Sequence, residues 1–195
     1  VAASKAGPEL RQLLETADIP ATYTLMAAGI LGYDNKRNLG LIGMHGSIAA
    51  NRAVDRADLI IALGARFSDR VALNPEKFGK KAHKIQVDID TSEINKNVLV
   101  DVGISADIKE FLTALLPLIK KNDHADWVSQ STEWKKKTGD VKSQDAELHP
   151  SEIIQSICDM TDKETIYVTD VGQHQMWAAQ YLKHETTEDF ITSGG

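Results

Sequence analysis

The chain has 195 residues, a formal net charge of −6 and 42% hydrophobic residues. That length can bury one sizeable core, and the composition is ordinary for a globular protein. The negative charge and the lack of a basic stripe with aromatic residues argue against a nucleic-acid partner. No apolar run approaches the length of a membrane span, which argues against a membrane partner. The single cysteine, Cys158, excludes an internal disulfide and is typical of a reducing compartment such as the cytoplasm.

A proline and a stripe of leucines predict a helix near the amino end. Pro8 suits the first turn of that helix, and Leu10, Leu13 and Leu14 form its buried face. In a doubly wound domain such a helix follows a strand, and residues 1–3 are too short to be one. We therefore expect a truncated first strand, most of which would precede Val1, and a sequence that is a fragment.

Apolar runs then alternate with helical patterns. Strands are predicted near residues 19–25, 58–63, 84–89 and 98–101, with residues 26–38 as a loop. The run 59–63 is continuously apolar, which is typical of a strand covered on both faces. This alternation predicts an α/β fold with a doubly wound, Rossmann-like parallel sheet.

Two glycine turns enclose the central helix and strand of this pattern. The first turn is Gly43-Met44-His45-Gly46 and the second runs from Gly64 to Val71. Glycine allows a backbone to approach a ligand closely, a helix N-terminus attracts phosphate, and arginine can grip an anion bidentately. Because ligands bind outside the carboxyl ends of parallel strands, two such turns together predict a nucleotide site. A lone turn of this kind would more often be a tight turn with surface arginines.

Polar residues at other strand and helix ends extend this prediction. Asp88 ends a strand one βα unit after the arginine turn, which favours a ribose contact over a solvated acidic turn. Asp107 and Glu110 form a capping-box-like helix start, which by itself explains Asp107. Thr24 can equally be a ligand contact or an ordinary strand residue.

The composition changes after residue 119. Residues 120–149 are polar and predict a linker with one or two helical turns, anchored by Trp127 and Trp134. A second unit over residues 150–195 is predicted to begin with Ser151 as a helix N-cap. In it, Gly172 lies between a strand and a helix start and is a potential phosphate cradle. The predicted division is therefore 1–119, 120–149 and 150–195.

The histidines and acids predict no metal site and no catalytic residue within the chain. No set of His, Cys, Asp or Glu has the spacing of metal ligands. His45 and His174 lie beside glycines at turns predicted to face a ligand, and the other four histidines are predicted to be surface residues.

Taken together, these motifs resemble one family over nearly the whole chain. The turn at residues 43–46 followed by Ala50-Asn51, and the run from Gly64 to Val71, resemble the central domain of acetolactate synthase large catalytic subunits. These are thiamine-diphosphate enzymes of the type that also binds FAD. Residues 170–179 resemble the start of the diphosphate-binding domain of the same family. The chain departs from the family at residues 27–29 and 106–108, where the family has Gly-Lys-Gly and Gly-Asp-Ala.

The resemblance implies that the whole enzyme binds FAD as a structural group, and also thiamine diphosphate and magnesium. Binding of thiamine diphosphate and magnesium would need parts of the enzyme outside this sequence. It places Gln173 and His174 near the diphosphate, and Gln175 and Met176 against FAD. The cofactor contacts implied or predicted are Thr24, Leu25, Met44, His45, Gly64, Ala65, Arg66, Asp69, Arg70, Val71, Asp88, Ile89, Asn95, Asp107, Gly172, Gln173, His174, Gln175 and Met176.

For the whole enzyme, the resemblance implies condensation of pyruvate with pyruvate or 2-ketobutyrate, in a cytoplasmic homodimer or homotetramer with a possible regulatory small subunit. The family's Gly-Asp-Gly metal motif does not occur here, and Gly139-Asp140-Val141 does not replace it. We therefore expect this chain to be inactive by itself. Two alternatives stay open, namely another thiamine-diphosphate lyase such as glyoxylate carboligase, and a stand-alone NAD- or ADP-binding regulatory module.

Overall fold

Parallel strands and flanking helices alternate along the chain in the computed structural model, which describes residues 1–138 and 148–193. The helices are α1 (Gly7–Ala17), α2 (Ile48–Arg56), α3 (Ile108–Leu115), α4 (Ala125–Thr138), α5 (Pro150–Met160) and α6 (Gln173–Tyr181). The strands are β1 (Ala21–Tyr23), β2 (Asn38–Leu41), β3 (Leu59–Leu63), β4 (His83–Asp88), β5 (Val102–Ser105), β6 (Tyr167–Thr169) and β7 (Phe190–Thr192). The predicted segment Gly139–Val141 lies outside the described residues.

The strands form three parallel sheets. Strand β4 lies between β3 and β5, with Leu59 opposite His83 and Ile85 opposite Val102. Strands β1 and β2 form a second sheet, and β6 and β7 form a third. The predicted parallel pairing of segments 58–63 and 84–89 is confirmed, as is the α/β fold class.

Helices α1 and α3 cover one face of the β3–β5 sheet, and α2 packs on β2 beside it. On one face, the leucines of α1 pack with Leu112 of α3 and with Val87 of β4. On the other face, Ala62 of β3 packs with Phe67, while Ala50 and Ala53 of α2 pack with Leu39 beside it. Small residues on α2 let the helix approach closely, as its alanine stripe predicts.

One strand prediction is wrong, and one strand was not predicted. The strand predicted at 98–101 lies at Val102–Ser105 instead, because Val98 is buried in a side-chain cluster and the Val100 N–H is bound by Asn95 Oδ1 at 2.8 Å. The predicted loop also ends at a strand, β2, that the sequence pattern missed. That strand has only four residues and contains Gly40 at φ +91°, which is typical of a turn.

Helix α4 replaces most of the predicted linker. It has 14 residues, far more than one or two turns, although it is polar on most of its surface. Trp127 and Trp134 meet edge to face with ring centroids 5.7 Å apart and pack against α2 and β2, so the predicted tryptophan anchors are confirmed. Only a few side chains of this helix face inward. Their apolar pattern is too weak to be detected in a polar segment.

The second unit differs from its prediction at two positions. Helix α5 is capped by His149 rather than Ser151, since the His149 ring accepts from the Ser151 N–H and Glu152 binds back to the His149 N–H. His184 is buried, not a surface residue, with Nδ1 at 3.3 Å from Asp189 Oδ1 and Nε2 at 3.3 Å from the Ala178 carbonyl.

None of the helices in the described residues is both long enough and apolar enough to cross a membrane.

An ion pair joins the end of α1 to the residue before β2, and a hydrogen bond joins it to the residue before α4. Asp18 ends α1, and its Oδ1 accepts from Arg37 Nη2 at 2.5 Å while its Oδ2 accepts from the His124 N–H at 2.9 Å. The hydrogen bond from Arg37, followed by that from His124, lowers the pKa of Asp18 below its usual value. Because the folded pKa is lowered, the pair stabilises the fold above the unfolded pKa of an aspartate and stops doing so as pH falls through the folded pKa.

Replacing this carboxylate gives the first prediction. Asp18→Asn leaves Arg37 without its anion, so the variant should unfold at a lower urea concentration than the parent at pH 7. The difference should shrink as the pH falls through the acidic range in which Asp18 titrates. Asp55→Asn, on the exposed face of α2, is the matched control and should leave the urea midpoint unchanged. A difference that stays constant down to about pH 2 would contradict the assignment.

Candidate functional site

The two glycine turns lie at the carboxyl ends of strands in two different sheets and contact each other. The first turn follows β2 and the second follows β3. The Met44 N–H donates to the Arg70 carbonyl at 2.8 Å. Gly43 has φ +104°, and a Cβ there would lie only 2.3 Å from the Arg70 carbonyl oxygen. This contact therefore requires glycine at position 43.

Polar side chains of α2 hold the first turn in place. Asn51 Oδ1 accepts from the Gly43 N–H at 3.1 Å, and Asn51 Nδ2 donates to the Gly43 carbonyl at 3.0 Å. Ser47 caps α2 by accepting from the Ala50 N–H at 3.0 Å. The side chains of Met44 and His45 remain exposed. The turn thus presents two exposed side chains on a fixed backbone, and Arg70 Nη1 donates to the Met44 sulfur at 3.9 Å.

The arginine turn is anchored by an aromatic residue in an unusual conformation. Phe67 has φ +49°, which costs a non-glycine residue about 1–3 kcal/mol. Its ring is buried and meets Phe78 edge to face, with centroids 5.4 Å apart. Burial of this ring offsets the backbone strain and fixes the direction of the turn, so that Arg66 beside it lies outside the core.

Both arginines of this turn are exposed. Arg70 Nε lies 4.0 Å from Asp69 Oδ2, and an exposed pair of this kind contributes little to stability. The Arg66 guanidinium makes no hydrogen bond or ion pair with any residue that the structure describes, while the Arg66 carbonyl accepts from Asn97 Nδ2 at 2.8 Å. The backbone of Arg66 is therefore held while its charge is available to an anion.

A buried glutamine connects this turn to the segment after β4. Gln86 is fully buried in the central strand, and its Nε2 donates to the Ala65 carbonyl at 3.2 Å and to the Glu93 carbonyl at 3.0 Å. Its Oε1 accepts from the Asn95 N–H at 3.3 Å. The sequence analysis missed Gln86, although an amide between the apolar residues Ile85 and Val87 was a usable signal.

The segment after β4 carries other predicted cofactor contacts. Asp88 is half-buried and its Oδ1 accepts from the Asp90 N–H at 3.0 Å, whereas the Ile89 side chain is 73% exposed. Asn95 has φ +61° and its Oδ1 holds the Val100 N–H at 2.8 Å. The structure therefore uses the Asn95 amide oxygen to shape the segment and leaves Ile89 on its surface.

Asp107 is occupied as a helix cap, as the sequence predicts. Its Oδ1 accepts from the Lys109 N–H at 2.8 Å and from the Glu110 N–H at 3.2 Å at the start of α3. The hydrogen bond from Ser4, together with these backbone bonds, lowers the pKa of Asp107. This carboxylate stabilises α3 at the same edge of the sheet.

Thr24 and Leu25 lie beside the first glycine turn. They follow β1, are half-buried, and enter a short 3-10 turn in which the Ala27 N–H donates to the Thr24 carbonyl at 2.8 Å. The Ile42 N–H donates to the Tyr23 carbonyl at 3.0 Å, which sets the end of β1 next to the residues leading into Gly43.

The second glycine site lies at the N-terminus of α6. Gly172 caps this helix with φ +150°, and Gln173 and His174 are exposed next to it. Gln175 is buried instead, with Nε2 at 2.7 Å from Thr192 Oγ1 and 2.8 Å from the Ser193 carbonyl, so it fastens α6 to β7. Met176 is half-buried.

Helix α6 also contacts the first glycine turn, because Gln180 Nε2 donates to the His45 carbonyl. No group of three or more His, Cys, Asp or Glu side chains in residues 1–138 and 148–193 could hold a metal ion.

The buried amide gives the second prediction. Gln86→Glu replaces the two N–H donors by a carboxylate oxygen facing two carbonyls, and an unpaired buried polar group costs about 1–3 kcal/mol. The variant should lose at least about 2 kcal/mol of unfolding free energy in urea titration. Backbone amide hydrogens of residues 65–66 and 93–95 should exchange with solvent faster than in the parent, at urea concentrations where the rest of the sheet is still protected. Gln12→Glu on the exposed face of α1 is the control, and equal stability of both variants would contradict the role of Gln86.

Three acetolactate synthases are similar to this chain over nearly its whole length. An acetolactate synthase large subunit of Lactococcus lactis subsp. lactis is 43% identical over 187 residues, which are 95% of this chain and 32% of that protein. Acetolactate synthase 1, chloroplastic, of Zea mays is 40% identical over 97% of this chain and 31% of its own length. The large subunit of Cyanidium caldarium is 42% identical over 98% of this chain and 34% of its own length.

The chain thus spans about a third of the length of the curated relatives it matches, 32% for the Lactococcus lactis protein. The resemblance stated from the sequence is confirmed. The family described as the central domain of thiamine pyrophosphate enzymes matches residues 1–115, well over half of the chain. The chain therefore belongs to the thiamine pyrophosphate enzymes and carries their central domain.

Proposed function

We propose that this chain is part of the catalytic subunit of an acetolactate synthase, which condenses pyruvate with pyruvate or 2-ketobutyrate with loss of carbon dioxide. The observation that carries this proposal is the 43% identity to an acetolactate synthase large subunit over 95% of the chain. The proposal extends to a cytoplasmic homodimer or homotetramer with a possible regulatory small subunit.

Within that enzyme, the surface formed by the two glycine turns binds FAD as a structural group. The unpaired Arg66 guanidinium and the turn at Gly64 suit a pyrophosphate, since a guanidinium donates two parallel hydrogen bonds to such an anion. Asp88 has one carboxylate oxygen engaged by Asp90 and a second oxygen for a ribose hydroxyl. The exposed Ile89 side chain and the flexible Met44 thioether suit contact with flat rings.

The remaining residues of this surface position those groups. Ala65 and Asn95 are held by Gln86, and Val71 packs under the arginine turn in the core that contains Leu39. Thr24, Leu25, His45, Asp69, Arg70 and Asp107 complete the set that we assign to the FAD surface. None of these residues needs to react, so their roles are binding and orientation.

The N-terminus of α6 contributes to binding thiamine diphosphate. When bound, that cofactor supplies the carbanion-stabilising ring on which a 2-keto acid loses carbon dioxide. Gly172 lets the diphosphate approach the free N–H groups of the helix, and Gln173 and His174 add side-chain donors. Gln175, buried against β7, fixes the helix, and Met176 completes the FAD-facing set. Magnesium is assigned to parts of the enzyme outside this sequence.

Arg66 gives a direct test of FAD binding. A hydrogen bond to a charged group contributes about 1.5–3 kcal/mol, so Arg66→Ala should raise the FAD dissociation constant about tenfold or more. Flavin fluorescence titration of the purified 195-residue chain measures it. Arg52→Ala, an exposed arginine on α2, is the matched control and should bind FAD like the parent. Equal dissociation constants for all three proteins would remove Arg66 from the site.

A second test concerns activity. With pyruvate, thiamine diphosphate, magnesium and FAD, the 195-residue chain should form no acetolactate above a no-protein control, measured as acetoin after acid treatment. The chain has no Gly-Asp-Gly motif to hold the metal, so the positioning of the diphosphate is lost. Turnover that survives repurification and is abolished by heat would show that the catalytic groups lie within this chain.

A further inference from the structure

A histidine and an aspartate are buried together in residues 184–189, between α6 and β7. His184 is 3% exposed and Asp189 is 7% exposed, and the His184 Nδ1 lies 3.3 Å from Asp189 Oδ1. The other carboxylate oxygen, Oδ2, accepts from the Glu185 N–H at 2.6 Å and from the Thr186 N–H at 3.0 Å. The carboxylate therefore holds the backbone of the 184–189 loop with one oxygen and the imidazole with the other.

The second ring nitrogen of His184 connects this loop to α6. Its Nε2 lies 3.3 Å from the Ala178 carbonyl oxygen, so both ring nitrogens face hydrogen-bond acceptors. A neutral imidazole has one N–H donor, whereas the protonated ring has two. Only the protonated ring can therefore donate in both directions and join the carboxylate of Asp189 to the helix.

The carboxylate determines which contact the neutral ring loses. Because an ionised carboxylate can only accept, the one remaining N–H must stay on Nδ1, facing Asp189. Nε2 then directs a lone pair at the Ala178 carbonyl oxygen and is left without a donor, which is costly in a buried site. The buried carboxylate also loses its positive partner. Loss of one proton therefore weakens the connection between the 184–189 loop and α6.

The same loop packs against the segment that follows β1. The Thr186 carbonyl lies so close to Gly29 that no Cβ could fit there, and Gly29 has φ +81°. Burial raises the pKa of Tyr23, at the end of β1, to about 12, and the nearby charge of Asp189 adds to this effect. A movement of the loop away from α6 therefore also changes the contact at Gly29.

Other titratable groups surround the pair on several elements. They are Tyr23 and Tyr33 on and after β1, Cys158 and Asp159 of α5, Lys163 before β6, and Lys183 and Glu185 beside His184. Lys183 Nζ is bound to Asp159 at 3.0 Å, and Lys163 Nζ is bound to Glu185 at 3.3 Å. The lowered pKa of Asp189 and the raised pKa of Tyr23 lie on either side of the range of about pH 5–8 in which histidines ordinarily titrate.

We propose that His184 and Asp189 form a proton-controlled latch between α6 and the segment that follows β1. The protonated imidazole closes the latch, and loss of its proton releases the 184–189 loop from α6. This proposal depends on the contacts of this chain alone and not on the proposed enzymatic activity.

The sign of the pH dependence follows from the proton count. Because the closed latch holds one more proton than the open latch, it is weakened as the pH rises through the range in which histidines titrate. The contribution of Asp189 has the opposite sign. Since its pKa is lowered, that contribution is present above the unfolded pKa of an aspartate and is lost as the pH falls through the folded pKa.

Solution NMR of the ¹⁵N-labelled 195-residue chain, from about pH 5.5 to about pH 8.5, tests this latch across the ordinary titration range of histidine. Ring ¹⁵N shifts of His184 report how many ring nitrogens carry a proton. As the ring loses its proton, the protection factors of the Glu185 and Thr186 amides should fall at least about fivefold, the effect of one hydrogen bond. The amide resonance of Gly29 should shift over the same pH range. Amides of the central strand β4 should stay protected throughout, which shows that the sheet remains folded.

Two variants separate His184 from the other titrating groups. His184→Gln keeps a polar side chain that cannot take up a proton, so protection at Glu185 and Thr186 should no longer depend on pH in this range. His83→Gln is the matched control, because the His83 Nδ1 faces Asp101 Oδ1 at 3.4 Å in a similar way while its side chain is 82% exposed. That variant should retain the pH dependence of the parent, since an exposed pair of this kind contributes little.

Three results would overturn the proposal. One is a His184 ring that keeps the same number of protons throughout the range, which the parent alone reveals even if His184→Gln does not fold. Another is loss of the ring proton with unchanged protection at Glu185 and Thr186. The third is a pH dependence that persists in folded His184→Gln, which would assign it to a neighbouring group such as Cys158.

Discussion

The buried amide of Gln86 is the interaction on which the candidate site depends. A carboxamide in the central strand cannot be buried without partners, and here both of its N–H groups and its oxygen bind backbone groups. Those backbone groups belong to two different loops, one after β3 and one after β4. The energetic need to satisfy one polar side chain thus sets the relative positions of the segments that carry Arg66 and Ile89.

Arg37 and Arg66 differ in burial, and this difference separates a structural arginine from one that can bind a ligand. Arg37 is bound to Asp18 at 2.5 Å with both side chains largely buried, so its charge is used by the fold. Arg66 is exposed, and its backbone is held by Asn97 while its guanidinium has no partner among the described residues. An arginine that the fold positions but does not neutralise is suited to an anionic ligand.

The sequence predicts the features that follow from short-range chemistry, and it misses those that depend on tertiary contacts. The parallel α/β fold and the Asp107 cap follow from local patterns and were predicted correctly. The four-residue strand β2 was missed, because its glycine looks like a break until its neighbour in the sheet is known. Gln86 and the buried His184 were missed for a similar reason, since the backbone and Asp189 groups that satisfy them come from other segments.

Residues 148–193 depend on contacts with residues 1–138. An isolated pair of strands is marginal in water, and the β6–β7 sheet leaves Val168 72% and Ile191 54% exposed. This small sheet is therefore stabilised by contacts with other segments. Burial alone would raise the pKa of Asp189, but the hydrogen bond from His184 and those from two backbone N–H groups outweigh that effect. The pKa is therefore lowered, and the partly buried carboxylate stays charged. That charge and, above all, burial raise the pKa of Tyr23 on β1 to about 12. Together with the close approach of Gly29 to the Thr186 carbonyl, these contacts fix the second glycine site against the domain that carries the first.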